Sequence, residues 1–397
     1  MLIHKILMVI ILPLKYIFWE LERLIPRSKT KWVFGAWFGD RYSDNSRAIF
    51  EYVVSNRKEI EPLWLTRNET VYDELVSKGL PVAKLGSWKA AWFTLRASIA
   101  FITVELKEVN GFFLNGAKQI WLWHGMPLKK IQADEQEFVN NGRKTTGIYS
   151  KLIRLLTPYS RYSPVAVISL SEFFNPFMSS AFRVDNSIVW TEGYPRNDAF
   201  FSKNSEPIIT QYRKKFPNAT FIICMPTHRL HGLNGLPYSP FIGNGFDQMI
   251  FEETLEKNDY VFFYKGHFYD KGAKVEIQSE RFVTVTDRDF DNLYTFVKDM
   301  DVLITDYSSI YFDYLLLNKP IILTPFDLNQ YLTTERPIYF SYEKLGAIKA
   351  YNWTDLIDIL ENRRFYKPTE KESELFVKHR DGNSSQRIVN RIDHQLL

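Results

Sequence analysis

His124 is the residue in this 397-residue chain whose neighbours best suit it to move a proton. It stands in WLWHGMPLKK, after a short apolar run and just before Gly125 and Pro127. That places it at the exposed carboxyl end of a strand, where an imidazole can serve as general base near neutral pH. The same spacing also suits a structural histidine. Three polar clusters in the second half follow apolar runs in the same way: PTHR at 226–229, YKGH at 264–267 and TDYSS at 305–309. In a parallel sheet these lie on one edge and bring Arg229, Lys265, His267, Ser308 and Ser309 together. Cations and hydroxyls around a helix start suit an anionic, phosphate-bearing ligand. Ser308 or Ser309 would cap that helix, whose free N–H groups attract a phosphate or diphosphate; a plain cap on a core unit reads equally well. DRDFD (287–291) holds an Asp-x-Asp. It suits either a divalent cation or, with Asp289 or Asp291 as cap, the helix expected at Leu293–Lys298.

The elements that must position these groups alternate between short apolar runs and amphipathic stretches. Strands are expected at Leu63–Thr66, Ile99–Val104, Ile120–Trp123, Ala166–Leu170 and Ile188–Thr191, with another in KWVFGAWF ahead of the polar loop Gly39–Ser46. The second half repeats the rhythm at Thr220–Met225, Tyr260–Tyr264, Phe282–Val285, Val302–Thr305 and Ile321–Leu323. Between the last two, helical spacing over Ile310–Leu317 and a turn at Asn318–Pro320 complete a βαβ unit. The fold class is therefore α/β, with two doubly wound domains. The turn-rich EGYPRNDAF marks the boundary. This gives an N-terminal segment at 1–30, domains at 31–203 and 204–375, and a C-terminal helix within 376–397.

A net charge of +4 is too slight to argue for nucleic acid, and the single cysteine, Cys224, gives neither a disulfide framework nor a cysteine metal site. The apolar start is interrupted by Lys5, Pro13 and Lys15 and falls short of the roughly 20 residues that span a bilayer. Lys15, Arg23, Arg27, Lys29 and Lys31 follow it among aromatic residues. This pattern reads as an interfacial anchor on an anionic cytoplasmic membrane face, or as a helix packed on its own domain. A second basic amphipathic stretch at 141–162 suits a membrane surface, a polyanionic acceptor or a solvated face.

The motifs WHGMPLK, GYPRND, PTHR, KGH, TDYSSIYFDYLLLNKPII and DGNSSQRI, in this order, resemble the CDP-glycerol glycerophosphotransferase family, which builds teichoic acids and capsular glycerol-phosphate polymers. YSDNSRAIFEY is similar to that family's N-terminal domain. The resemblance implies the GT-B architecture, two facing Rossmann-like domains with the site between them, and metal-independent chemistry without a cofactor. It implies a CDP-linked polyol as donor and a lipid-linked saccharide as acceptor, with the enzyme peripheral on the cytoplasmic membrane face. Residue by residue, it implies catalytic roles for His124 and His267. Arg229, Lys265, Asp306, Ser308, Ser309, Arg336 and Arg387 would bind the donor, and Asp44, Asn45 and Lys129 the acceptor. The chain departs from the family pattern at His228 (usually Trp), Phe268 (usually Pro) and Pro337 (usually Gly), all near the donor side. It is also shorter than members with an added N-terminal region, which implies single addition over polymerisation. A nucleotide-sugar glycosyltransferase of the same architecture and a non-catalytic, membrane-bound nucleotide- or polymer-binding module are the alternative readings.

Overall fold

The computed structural model describes residues 14–135, 163–229, 238–266 and 277–397. His267, Phe268, residues 1–13 and the basic stretch at 141–162 lie outside the described residues. The first sheet contains β1 (Ser28–Phe34), β2 (Glu61–Thr66), β3 (Val82–Lys84), β4 (Ala97–Ile102), β5 (Lys118–Trp121), β6 (Ala166–Ile168) and β7 (Val189–Trp190). Its order is β3-β2-β1-β4-β5-β6-β7, all parallel. The second contains β8 (Thr220–Met225), β9 (Tyr260–Tyr264), β10 (Phe282–Thr284), β11 (Val302–Thr305), β12 (Ile321–Leu323) and β13 (Ile348–Lys349). Its order is β10-β9-β8-β11-β12-β13, again all parallel. Parallel sheets are covered on both faces, which is why strands such as β9 (YVFFY) are buried throughout and read as unbroken apolar runs.

Both orders reverse at one point, between β1 and β4 and between β8 and β11. Loops leaving adjacent strands there part to opposite faces, and the crevice between them is where such sheets bind ligands. PTHR leaves β8, Lys265 leaves β9 and TDYSS leaves β11, so the three clusters do share one edge on neighbouring strands. After β11 the helix is shorter than its periodicity predicts. It is α-helical over Ile310–Tyr314 and then tightens to a 3-10 turn over Leu315–Leu317. Asn318 ends it in the left-handed region at φ 49°, a conformation asparagine tolerates. Ser309 makes no side-chain cap, and Ser308 Oγ lies 3.5 Å from the Ile310 N–H, too long for a strong one.

The cap expected from DRDFD is also placed differently. Asn292, whose side chain accepts from the Tyr294 N–H, caps the helix Leu293–Val297. Asp289 instead accepts from its own turn at Thr286, and Asp291 is drawn to Arg47 and Lys78 of the first domain. Asp287 likewise joins Lys265 (2.8 Å) to Arg41 of the first domain (3.0 Å). The three carboxylates are thus engaged by cations and a turn.

Further contacts dock the domains edge to edge. Residues 128–130 pair antiparallel with 337–339: Lys130 N–H donates to the Pro337 carbonyl and Tyr339 N–H to that of Leu128, both at 2.8 Å. Pro337 serves there only as an acceptor, so its missing N–H costs nothing. The last helix, Ser384–Gln395, returns to the first domain, where Asp198 accepts from the Ser384 and Ser385 N–H groups and Arg391 pairs with Glu192 at 2.7 Å. At the other end, residues 14–21 are helical. Trp19 and Glu22 turn inward, Glu22 accepting from the Asn115 N–H, while Leu14, Ile17, Phe18, Leu21 and Leu24 point outward, 43–76% exposed. Among the described residues, no helix is long and apolar enough to cross a membrane.

Candidate active site

His124 follows β5 in a turn that would not hold without support. Trp123 has φ 57° and Gly125 φ 151°. The imidazole lies against Trp37 and Trp123, with ring centroids 5.1 and 4.0 Å away. The Thr103 backbone hydrogen-bonds the ring, and Nδ1 is buried with no partner among the described residues. Burial lowers its pKa to about 4, Asp44 pulling it up and Arg196 and Lys129 pushing it further down. The ring is therefore neutral at physiological pH, as a base must be.

Gly125 brings this turn against the other domain: a Cβ there would lie 2.2 Å from Ser309 Oγ. Gly125→Ala should strain the backbone by about 1–3 kcal/mol and displace the serine. Steady-state kinetics of the variant should show kcat/KM for the donor down by about tenfold or more.

Asp44 and Asn45 support the histidine turn. Asp44 accepts from Trp37 Nε1 at 3.1 Å and Arg196 Nη1 at 2.8 Å. Asn45 is fully buried; its Nδ2 donates to the Trp123 carbonyl at 2.8 Å. Lys129, whose backbone bridges antiparallel to Ile338 of the second domain, has Arg336, Asp306, Arg229 and Glu135 as its charged neighbours. Burial, reinforced by Arg336, lowers its pKa to about 8. It thus faces the donor-domain cluster from the first domain.

Within that cluster Arg229 is 3% exposed and turned inward. It donates to Asp306 (2.8 Å), to both oxygens of Asp327 (2.8 and 2.9 Å) and to the Thr227 carbonyl (2.6 Å), between the rings of Tyr238, Tyr307 and Tyr331. Asp306 also accepts from the Thr227 and Tyr307 N–H groups. The pair therefore braces the loops after β8 and β11. Lys265 Nζ bonds Asp287, whose carboxyl is held below the usual range by Lys265 and Arg41 against the opposing effect of burial. Arg336 bonds Glu135 at 3.0 Å, and Ser308 and Ser309 are half-buried. Arg387 lies apart from this group. It pairs with Asp381 (2.6 Å) and donates to the Glu192 carbonyl (2.9 and 3.1 Å), which fastens the last helix.

Sequence reasoning missed Arg196 and Asp313. Each belongs to a quoted motif, GYPRND and TDYSSIYFD, and the charge of a residue inside an apolar helical run was the available signal for Asp313. Arg196 is buried and donates to Asp44, to the His124 carbonyl (2.8 Å) and to Asp313 in the second domain (2.7 Å). Asn197 also bonds Asp313, at 2.9 Å. Glu108, which collects the N–H groups of Thr103, Val104 and Phe38, was missed as well; it ties the loops after β4 and β1 that frame the histidine.

Two parallel sheets thus meet at their carboxyl edges, with the neutral His124 and Lys129 on one side and Lys265, Ser308 and Ser309 on the other. The chain belongs to the CDP-Glycerol:Poly(glycerophosphate) glycerophosphotransferase family, whose model matches residues 17–394. It is 24% identical to the teichoic acid poly(glycerol phosphate) polymerase of Bacillus spizizenii over 92% of each chain. It is 26% identical to the teichoic acid glycerol-phosphate transferase of Staphylococcus aureus, over 90% of this chain and 92% of that one. Its fold is similar to that of the wall teichoic acid polymerase TagF, with a TM-score of 0.71 at 22% identity over 98% of this chain and 96% of that one.

Proposed function

We propose that the chain transfers a glycerol-phosphate, or a related polyol-phosphate, from a CDP-linked donor to a hydroxyl of a lipid-linked saccharide. The observation that carries this reading is the meeting of the His124–Gly125 turn with Ser309 across the domain junction. His124 takes the proton of the acceptor hydroxyl as its oxygen attacks the phosphorus that bears the polyol. The bond from that phosphorus to the bridging oxygen breaks, and CMP leaves with the oxygen. Lys265, Lys129, Ser308 and Ser309 hold the diphosphate, Arg336 lies beside them next to the paired strand, and His267, whose role is taken from the family resemblance alone, neutralises the leaving CMP. Arg229 and Asp306 keep these loops in place. Phosphoryl transfer calls mainly for positioning and charge stabilisation, which such a set supplies.

The test is acceptor-dependent CMP release from CDP-glycerol, with product masses. A phosphodiester-linked glycerol phosphate on the acceptor supports the reading. A glycosidic product from a nucleotide sugar would assign the glycosyltransferase chemistry instead, and tight donor binding without CMP release a binding module. A polymerase of nearly the same length aligns over 92% of its chain, so length does not separate single addition from polymerisation; counting added units does.

The outward stripe Leu14, Ile17, Phe18, Leu21 and Leu24, beside Lys15 and Arg23, supports a peripheral site on an anionic membrane. Substituting Ile17, Leu21 and Leu24 together with Glu should abolish co-sedimentation with vesicles containing phosphatidylglycerol. Unchanged sedimentation would remove this stripe as the anchor.

A further inference from the structure

Arg196 is the point at which one side chain holds both the backbone of the histidine turn and the helix that carries the donor-side serines. Its Nη1 donates to the His124 carbonyl and to Asp44 Oδ1, each at 2.8 Å, and its Nη2 to Asp313 Oδ2 at 2.7 Å. Its own N–H donates to Asn45 Oδ1 (3.1 Å), and Asn45 in turn holds the Trp123 carbonyl. The guanidinium is packed between the rings of Tyr194 and Tyr294, 5.1 and 5.0 Å from their centroids. We propose that Arg196 is a positioning residue that registers the His124 turn against the donor-domain helix Ile310–Tyr314, so that the base is aligned only when the domains are docked. This rests on the reading of His124 as base.

Two features argue for this role over general packing. Trp123, directly before His124, has φ 57°, a left-handed conformation that a bulky residue keeps only where its surroundings enforce it, while Gly125 takes its positive φ freely. The carbonyls of Trp123 and His124 are both held by this network, which reaches the second domain through the Arg196–Asn197 pair to Asp313 and through the packing of Arg196 on Tyr294. A planar guanidinium holds acceptors of both domains on two separate nitrogens in a fixed fork, a span that the compact ammonium of a lysine does not reproduce. Among the described residues, the charged groups facing His124 are Asp44, Arg196 and Lys129.

The test uses the full chain and measures CMP release from CDP-glycerol, with acceptor, across pH in the parent, Arg196→Gln, Arg196→Lys, Asp44→Asn and His124→Ala. Misplacing the base by an ångström costs about 10²-fold, so kcat should fall by that order in Arg196→Gln while KM for CDP-glycerol stays within about threefold. The acidic limb of kcat/KM should move to higher pH in Arg196→Gln, which removes a cation beside the ring. It should move to lower pH in Asp44→Asn, which removes an anion. Arg196→Lys should restore the limb without restoring kcat. An unmoved limb with KM and kcat impaired alike would make Arg196 structural only, and an unchanged kcat would overturn the proposal outright. If Arg196→Gln does not fold, Asp313→Asn decides: a kcat loss at unchanged KM supports the coupling, and parental kcat refutes it. Residual activity of His124→Ala that lacks the acidic limb keeps the base reading. An unmoved limb in Arg196→Gln then counts against the coupling alone.

Discussion

His124→Ala is expected to lower the turnover number for CMP release by about 10²–10⁴-fold, the range for loss of a positioned general base. The expectation follows from the ring's setting. It is enclosed by Trp37 and Trp123, held neutral down to about pH 4 by burial, and offers a buried Nδ1 with no partner among the described residues. Removing the ring leaves the donor-side residues untouched, so KM for the donor should change little, as for an interaction made only in the transition state. Full activity in this variant would take His124 out of the mechanism and leave the pocket as a binding site.

Arg229→Ala should act on stability. Asp306 and Asp327 are both held by this guanidinium, and the side chains of Arg229 and Asp306 are 1% and 0% exposed. Taking the cation away strands buried charge, which typically costs about 3–5 kcal/mol. Loss of the Asp306 contacts would also release the loops after β8 and β11, so the variant should unfold at markedly lower denaturant and bind donor weakly. Adding Asp306→Asn to Arg229→Ala should recover part of the loss, because the stranded charge is then gone. A cost under about 1 kcal/mol would mean that water reaches these carboxylates, as at an exposed ion pair.

These two residues also show what a sequence conveys. Periodicity exposed β8, β9, β11 and β12 to the residue, because parallel strands buried on both faces are simply apolar runs between polar clusters. It missed β3 and β13, sheet edges of three and two residues whose pairing is decided by neighbours far along the chain. Strand ends likewise revealed which loops would share an edge, and so brought Arg229, Lys265 and the serines to one place. They carried no information on which way each side chain would turn. Arg229 reads as a ligand cation by type, yet two aspartates from separate loops capture it. Lys129 reads as part of the acceptor side by domain, yet strand pairing across the junction sets it among donor-side charges. Arg196 and Asp313 lie 117 positions apart, and only the docking of two domains makes them one pair.

The most direct test of the central claim is the stoichiometry of CMP released against glycerol phosphate gained by a lipid-linked saccharide, for the parent chain and for His124→Ala. The account predicts one CMP for each phosphodiester formed by the parent, and both products slowed together by about 10²–10⁴-fold in the variant. CMP release without transfer by the parent, or transfer at the parental rate in His124→Ala, would contradict it.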